Sequence, residues 1–177
     1  MKIMVTGERG YIGAVLVPTL KEKGYDVIGY DSGYFSENLL EHFDEDYPRV
    51  TKDIRDIAKE DLEGVDGIIH LAGLSNDPLG ELSPELTADI NFNGTMRLAE
   101  MAKDVGVLRF VYASSQSMYG VSNTSSELNE DDSEKNPVTA YAIAKWNAEQ
   151  KLHRMTSDDF VVTSLRPSTV FGASPRL

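Results

Sequence analysis

The sequence predicts an α/β protein with a doubly wound parallel sheet flanked by helices, and three observations support that prediction. Short apolar runs of strand length alternate with longer segments whose apolar residues recur at helical spacing. A glycine-rich turn joins the first strand to the first helix. The length of 177 residues suits one domain, which we place over residues 1–177. Strands that alternate with helices form right-handed βαβ units, so the strands are expected to be parallel.

The predicted strands follow from short apolar runs that end at turn residues. The first run reaches Gly7, the second ends before Ser32, and the third is weak. The runs cover residues 2–6, 26–30, 48–51, 67–71, 108–114 and 160–165.

The predicted helices lie between these strands, over residues 11–23, 83–104 and 137–155. Gly24 and Gly106 follow the first two and are typical helix ends. Ser83 before Pro84 offers an N-cap with proline at the first helical position. The acidic stretch 122–135 is interpreted as a solvated loop rather than a metal site.

The composition excludes several kinds of function. The chain has 17 basic and 29 acidic residues, a formal net charge of −12, and no cysteine. Disulfides, thiolate metal sites and cysteine nucleophiles are therefore ruled out, and no metal site is expected. The acidic balance argues against nucleic acid and anionic membranes as partners. The lack of cysteine fits a reducing compartment, and we expect a cytoplasmic protein. Any phosphate group must be bound by local backbone N–H groups or by a few basic side chains.

Gly7, Gly10 and Gly13 have the spacing G-x-x-G-x-x-G between the first strand and the first helix. Glycine there permits a sharp turn, close approach of backbone to a pyrophosphate, and tight packing of helix on strand. The helix N-terminus supplies N–H donors and positive dipole to the diphosphate. Three glycines alone also mark ordinary turns, but Asp31 ends the second strand, where a carboxylate accepts hydrogen bonds from ribose hydroxyls. Since Asp31 would repel a 2′-phosphate, NAD is favoured over NADP.

Tyr141 and Lys145 are four residues apart on the last predicted helix and therefore share one face. A neighbouring ammonium, together with the positive charge of an oxidised nicotinamide, lowers the pKa of a phenol and makes it a usable base. Ser115 follows the fifth strand at the edge where ligands bind in such folds. The spacing Y-x-x-x-K alone is common on amphipathic helices, and its context favours catalysis here.

At this point the sequence resembles the extended short-chain dehydrogenase/reductases, in their nucleotide-sugar epimerase/dehydratase branch, which share a Rossmann-type fold. The matching segments are TGERGYIG at 6–13, Asp31, DIRD at 53–56, HLAG at 70–73, NFNGT at 91–95, SSQSMYG at 114–120, YAIAK at 141–145 and LRP at 165–167. They occur in family order along the whole chain.

The resemblance implies a role for each matching position. Ser115, Tyr141 and Lys145 would be catalytic, and Lys145 would also bind the nicotinamide ribose. The implied NAD-binding positions are Gly7, Gly10, Tyr11, Ile12 and Gly13 at the diphosphate, Asp31 and Ser32 at the adenosine ribose, Asp53 and Ile54 at the adenine, Leu71, Ala72 and Gly73 along the cofactor, Asn91 behind them, and Tyr141 and Lys145 at the nicotinamide end.

Two departures from the family pattern bear on the reaction. Gln116 and Ser117 stand where the family's 4,6-dehydratases carry an Asp-Glu pair, so dehydration is disfavoured. Thr169 replaces a substrate-contacting Asn, so sugar specificity is not carried over.

We therefore expect an NAD-dependent nucleotide-sugar epimerase, present as its cofactor-binding portion. The alternatives are a reductase or dehydrogenase of a non-sugar alcohol or ketone, and a non-catalytic dinucleotide-binding module. The family continues into a substrate-binding part after the sixth strand, so the chain is expected to be a fragment that turns over substrate poorly by itself. The resemblance also permits a homodimer through the helices that begin near Ser83 and Pro137.

Overall fold

The computed structural model describes residues 1–40, 46–121 and 127–176. Residues 122–126, which form the first part of the acidic loop predicted over 122–135, lie outside the described part of the chain. Within that part, no helix combines the length and the apolar character that crossing a bilayer requires.

All six predicted strands are present and form one parallel sheet. They are β1 (Lys2–Thr6), β2 (Asp26–Asp31), β3 (Arg49–Thr51), β4 (Gly67–His70), β5 (Arg109–Ala113) and β6 (Val161–Leu165). Their order across the sheet is β3-β2-β1-β4-β5-β6, and every pairing is parallel. The chain therefore adds β2 and β3 on one side of β1, and β4, β5 and β6 on the other side. In open α/β sheets, ligands bind where the order of strand addition reverses in this way, here between β1 and β4.

Among the described residues, five α-helices pack on the sheet or on one another. They are α1 (Gly13–Glu22), α2 (Asp77–Glu81), α3 (Pro84–Ala88), α4 (Thr95–Asp104) and α5 (Ala140–Met155). The predicted helix over 83–104 is present as α3, a π-helical turn at Asp89–Gly94, and α4. The sequence did not predict α2, and α5 begins later than residue 137 because the Thr139 hydroxyl accepts the Ala142 N–H and caps the helix at that point.

Hydrophobic side chains cover both faces of the sheet. Alternation along β1 sends Met4 to one face and Ile3 and Val5 to the other. The larger cluster joins α4 and α5 to the centre of the sheet, and the smaller one packs α1 against β1 and β2. This packing fixes the helices whose residues reach the carboxyl edge of the strands.

Candidate active site

The glycine turn after β1 is shaped by close contacts of the backbone with itself and with the loop after β4. Gly7 has a φ of +72°, and a Cβ there would lie 2.7 Å from the Ala72 nitrogen. A Cβ on Gly13 would lie 2.5 Å from the Glu8 Cα. A Cβ on Gly10 would meet only the Gly7 oxygen, at 3.3 Å, so its outer side is open. Glycine is thus required for the turn itself at Gly7 and Gly13.

The start of α1 presents backbone donors at this turn. Within the described residues, the N–H groups of Tyr11 and Ile12 make no hydrogen bond. Unpaired N–H groups at a helix start carry partial positive charge and suit an anionic ligand. The turn therefore has the donors that a diphosphate needs.

Asp31, at the end of β2, is held by two backbone donors. Its Oδ1 accepts the Gly33 N–H at 2.7 Å, and its Oδ2 accepts the Arg9 N–H at 3.2 Å. The second bond ties the glycine turn to the end of β2. Ser32 follows directly, so Asp31 and Ser32 stand beside the turn where the resemblance places the adenosine ribose.

Glu8, inside the glycine turn, is a buried carboxylate that the sequence reasoning missed. Its side chain is 1% exposed and lies against Gly29 of β2, where an added Cβ would come within 2.7 Å of it. The nearest cations are the Nε atoms of Arg9 and Arg49, at 3.7 and 3.8 Å. Burial raises the pKa of Glu8 to about 7, and the charge of Asp31 adds to the rise. An acid in a glycine turn normally indicates exposure, so the sequence carried no signal for this.

Asp53 and Ile54, expected at the adenine, have local roles in the structure. The Asp53 carboxylate accepts the backbone N–H and the guanidinium of Arg55 at 2.8 to 2.9 Å, and the Tyr34 hydroxyl at 3.3 Å. These hydrogen bonds with Arg55 lower the pKa of Asp53 to about 2. The Ile54 side chain is 5% exposed and belongs to the larger core cluster.

The loop at residues 71–74 follows β4 and is held from behind by Asn91. The Asn91 Oδ1 accepts the Leu74 N–H at 2.8 Å, and its Nδ2 donates to the Leu74 carbonyl at 3.0 Å. A Cβ on Gly73 would lie 2.8 Å from the same Oδ1. Asn91 is in the π-helical turn and 1% exposed, so it fixes this loop from inside.

Ser115, Tyr141 and Lys145 come together at the end of β5. The Ser115 side chain acts on the Tyr141 phenol closely enough to lower its pKa, and the Ser115 Oγ accepts the Ser117 N–H at 3.1 Å. The Lys145 Nζ donates to the Ala113 carbonyl at 2.8 Å and lies 5.8 Å from the centre of the Tyr141 ring. Lys145 is 5% exposed, which is unusual for an unpaired cation.

The electrostatics of this group differ from the sequence expectation in one respect. Burial is the main cause that raises the pKa of Tyr141, the charge of Asp77 raises it further, and the hydrogen bond with Ser115 lowers it. Burial also lowers the pKa of Lys145 to about 8. The ammonium is directed to the Ala113 carbonyl, so it is not the group that lowers the phenol pKa in this arrangement.

Helix α2 places two acids at the N-terminus of α5. Asp77 accepts the Thr139 hydroxyl, and Glu81 accepts the Ala140 N–H at 2.6 Å. Negative charge at a helix N-terminus is stabilising. These contacts set the first turn of the helix that carries Tyr141.

Arg166, which follows β6, pairs internally. Its Nε donates to Glu149 Oε1 at 2.9 Å, and its Nη1 donates to the Tyr119 hydroxyl at 2.8 Å. The Glu149 side chain is 2% exposed, so this is a largely buried ion pair between β6 and α5. The Arg166 guanidinium is therefore engaged in an internal ion pair.

The segment 172–176 crosses the carboxyl edge and contacts two loops of the expected cofactor site. The Ser174 hydroxyl donates to the Tyr11 carbonyl at 2.9 Å, and the Leu40 N–H donates to the Pro175 carbonyl at 2.9 Å. Arg176 is 2% exposed and donates to the Ser36 carbonyl at 2.7 Å. The segment therefore links the glycine turn to the loop after β2.

Gln116 and Ser117 lie in a 3₁₀ turn, Gln116–Tyr119, capped by Ser115. Neither is ionisable, so the two positions that follow Ser115 carry no acid. No group of three or more His, Asp or Glu residues able to hold a metal ion occurs in the described part of the chain.

The strand order, the glycine turn with free helix-end donors, and the Ser-Tyr-Lys group are typical of dinucleotide-binding α/β proteins. The model of the NAD dependent epimerase/dehydratase family matches residues 3–176. The chain belongs to that family.

Individual relatives agree with this membership. The UDP-glucose 4-epimerase of Mycolicibacterium smegmatis is 32% identical over 97% of this chain and 57% of its own length. A solved NAD-dependent NDP-hexosamine 5,6-dehydratase of tunicamycin biosynthesis superposes with a TM-score of 0.87 at 25% identity, over 99% of this chain and 57% of that one. The UDP-glucose 4-epimerase of Thermus thermophilus, solved with NAD, gives 0.81 at 26% identity, over 94% and 54%. This chain spans 55% to 57% of the length of the first curated relatives that it matches.

Proposed function

We propose that the chain is the cofactor-binding part of an NAD-dependent enzyme that epimerises nucleotide sugars. The observation that carries the proposal is the meeting of Ser115, Tyr141 and Lys145 at the end of β5, on the edge that also holds the glycine turn and Asp31. A non-catalytic binding module would need no buried lysine beside a buried tyrosine.

The described residues fit a dinucleotide. The free N–H groups of Tyr11 and Ile12 would face the diphosphate, with Gly7, Gly10 and Gly13 keeping side chains out of its way. Asp31, fixed by two N–H groups, would accept the adenosine ribose hydroxyls beside Ser32. The remaining proposed contacts are Asp53 and Ile54 near the adenine, Leu71, Ala72 and Gly73 along the cofactor with Asn91 behind, and Tyr141 and Lys145 at the nicotinamide ribose.

The chemistry divides between cofactor and protein. When bound, NAD would supply reversible hydride transfer at a carbinol carbon of the substrate. Tyr141 takes the hydroxyl proton as that carbon is oxidised to a ketone, and it gives the proton back when the carbon is reduced on its opposite face. Ser115 holds the reacting oxygen and the Tyr141 hydroxyl in one hydrogen-bonded group. Because burial raises the pKa of Tyr141, proton removal would depend on the positive charge of the oxidised nicotinamide, while Lys145 would hold the nicotinamide ribose.

Dehydration is the second candidate, because the superposition with the 5,6-dehydratase is the strongest of those described. Gln116 and Ser117 argue against dehydration, since neither an amide nor an alcohol side chain serves as a general acid or base at neutral pH. A reductase that consumes NADH is the third candidate.

Two measurements test the proposal. Titration calorimetry should show NAD binding to this chain. In the complete gene product, Tyr141→Phe should abolish turnover of a nucleotide sugar while NAD binding persists, and Tyr25→Phe, in an exposed position before β2, should leave turnover unchanged. A 4-epimer product without net NADH change supports the epimerase, loss of water indicates a dehydratase, and stoichiometric NADH consumption indicates a reductase. Full turnover by Tyr141→Phe would refute the mechanism.

We propose further that the protein is a cytoplasmic homodimer that pairs through α3 and α5. These helices and their first turns carry exposed apolar side chains: Leu86 and Ile143 are each 42% exposed and Val138 is 64% exposed. Apolar side chains on two packed helices favour a second copy of the same surface. Ile143→Glu should shift the mass measured by light scattering from dimer to monomer, whereas Val105→Glu, beyond the end of α4, should not. A monomeric wild-type protein would contradict the pairing.

A further inference from the structure

His70 lies at the end of β4, between the cofactor edge and the π-helical turn, and no step of the proposed reaction uses it. Its ring is 1% exposed, stacks on Tyr112 with 5.9 Å between ring centres, and lies tilted against Phe110. Both ring nitrogens have hydroxyl partners: Thr6 Oγ1 is 2.6 Å from Nδ1, and Thr95 Oγ1 is 2.8 Å from Nε2. A fully buried histidine with two hydroxyl partners has a protonation state that can be derived.

The hydrogen-bond direction is fixed at the Thr95 side of the ring. The Thr95 hydroxyl donates its single hydrogen to the Asn91 carbonyl at 2.8 Å. Its oxygen can therefore only accept from His70, so Nε2 carries a hydrogen. In a neutral ring Nδ1 is then bare and accepts the Thr6 hydroxyl hydrogen. The Thr6 oxygen in turn accepts the Ala72 N–H at 3.3 Å.

All of these bonds run in one direction. From Ala72 the donors point through Thr6 and His70 to Thr95, and from Thr95 to the Asn91 carbonyl. A second ring proton, on Nδ1, would point at the Thr6 oxygen, and the hydrogen of the Thr6 hydroxyl would then lose the ring as its acceptor. Burial, and to a lesser degree the charge of Lys145, lowers the pKa of His70 to about 3, in agreement with the neutral ring.

Both ends of this series lie at the cofactor edge. Ala72 N is the atom that a Cβ on Gly7 would strike, and it therefore marks the gap between the glycine turn and the loop after β4. At the other end, the Asn91 side chain holds Leu74 of the same loop by two hydrogen bonds. The loop is thus fixed at Ala72 through β1 and at Leu74 through the π-helical turn.

We propose that His70 is a positioning residue for the dinucleotide site: as the neutral Nε2–H tautomer it joins the end of β1 to the π-helical turn and so sets the width of the gap between Gly7 and Ala72. The positioning role rests on the proposed cofactor site, whereas the tautomer does not.

The tautomer is tested by long-range ¹H–¹⁵N NMR of the imidazole in the wild-type chain. We expect a protonated Nε2 and an unprotonated Nδ1 for His70, unchanged between pH 5 and pH 8. An Nδ1–H tautomer, or a ring that gains a proton in this range, would overturn the assignment.

The positioning role is tested by NAD titration of Thr95 variants, because Thr95 lies on the far side of the ring from Ala72. Thr95→Val should weaken NAD binding about three- to tenfold, the size expected for losing one buried hydrogen bond. Thr95→Ser, which keeps the hydroxyl, should bind as the wild type does. The matched control is Thr87→Val: Thr87 is equally buried, but its hydroxyl donates to backbone carbonyls outside this series.

The outcomes separate the two proposals. Equal effects of Thr95→Val and Thr87→Val, or unchanged affinity in Thr95→Val, would overturn the positioning role while leaving the proposed function intact. If Thr95→Val does not fold, Thr95→Ala is compared with Thr95→Ser in the same way. A wild-type chain that binds no NAD refutes the proposed function and the positioning role together, and the imidazole spectrum still decides the tautomer.

Discussion

Replacing the buried Glu8 with glutamine should stabilise the protein at neutral and alkaline pH. The carboxylate is buried inside the glycine turn, and its two nearest cations, Arg9 and Arg49, lie beyond hydrogen-bonding distance at 3.7 and 3.8 Å. Their attraction therefore offsets only part of the cost of removing the charge from water. Glutamine has nearly the same shape and no charge, so Glu8→Gln removes that cost and keeps the packing against Gly29.

The magnitude follows from the raised pKa of Glu8, about 7 against an ordinary value of 4.5. The folded protein binds this proton more tightly than the unfolded chain does. The resulting stability is fully present below pH 4.5 and is lost as the pH rises toward 7. Wild-type protein should therefore lose about 3 kcal/mol relative to Glu8→Gln by pH 8, about 2 kcal/mol at pH 6, and less than about 0.5 kcal/mol at pH 4.5.

The assay is urea unfolding of both proteins at a series of pH values, with the free energy of unfolding extrapolated to water. The control is Glu22→Gln, an exposed carboxylate at the end of α1, which should change stability by less than about 0.5 kcal/mol at every pH. A difference between wild type and Glu8→Gln that stays constant from pH 4.5 to pH 8 would refute the reasoning. It would mean that Arg9 and Arg49 fully compensate the buried charge.

Two further predictions concern the ion pair between Arg166 and Glu149 and the carboxylate of Asp31, the proposed ribose contact. Arg166→Gln should lower the free energy of unfolding by about 3–5 kcal/mol, because it removes the arginine that pairs with the buried Glu149. Adding Glu149→Gln to the same chain should recover part of that loss, as measured by urea unfolding. Equal stabilities of the single and double variants would contradict this prediction. Asp31→Asn should weaken NAD binding about tenfold or more, by loss of a charged acceptor, and should shift the preference toward NADP because the repulsion of a 2′-phosphate is removed. Parallel calorimetric titrations with the two cofactors measure both effects, and an unchanged ratio of affinities would exclude Asp31 from the ribose site.

The elements that the sequence predicted correctly are those with a local pattern. The six strands are short apolar runs bounded by turn residues, and the glycine spacing identifies the turn after β1 directly. Ser115, Tyr141 and Lys145 could be grouped because a strand end and a four-residue helical spacing both carry positional information. Parallel strand topology then places them on the same edge.

What the sequence did not predict depends on contacts between distant segments or on pieces too short to show a period. Helix α2 has five residues, less than two turns, and its capping by Asn76 resembles an ordinary loop. The π-helical turn lies inside an unbroken helical pattern, and the hydrogen bonds of Asn91 to the distant Leu74 have no local signal in the sequence. The burial of Glu8 results from its packing under β2 beside Arg49 of β3, a contact that no local pattern indicates.

The charges at the sheet edge explain how a chain of net charge −12 offers a site for an anionic dinucleotide. Exposed acids far from the edge act weakly there because water and salt screen them. At the edge itself, Asp53 is neutralised by Arg55, and Glu149 behind it by Arg166. The local field is therefore set by the free N–H groups of α1, by Lys145, by the Asp31 carboxylate and by Glu8 with its two arginines. Because burial raises the pKa of Glu8 to about 7, a change in its protonation would alter both the free energy of unfolding and the potential at the N-terminus of α1.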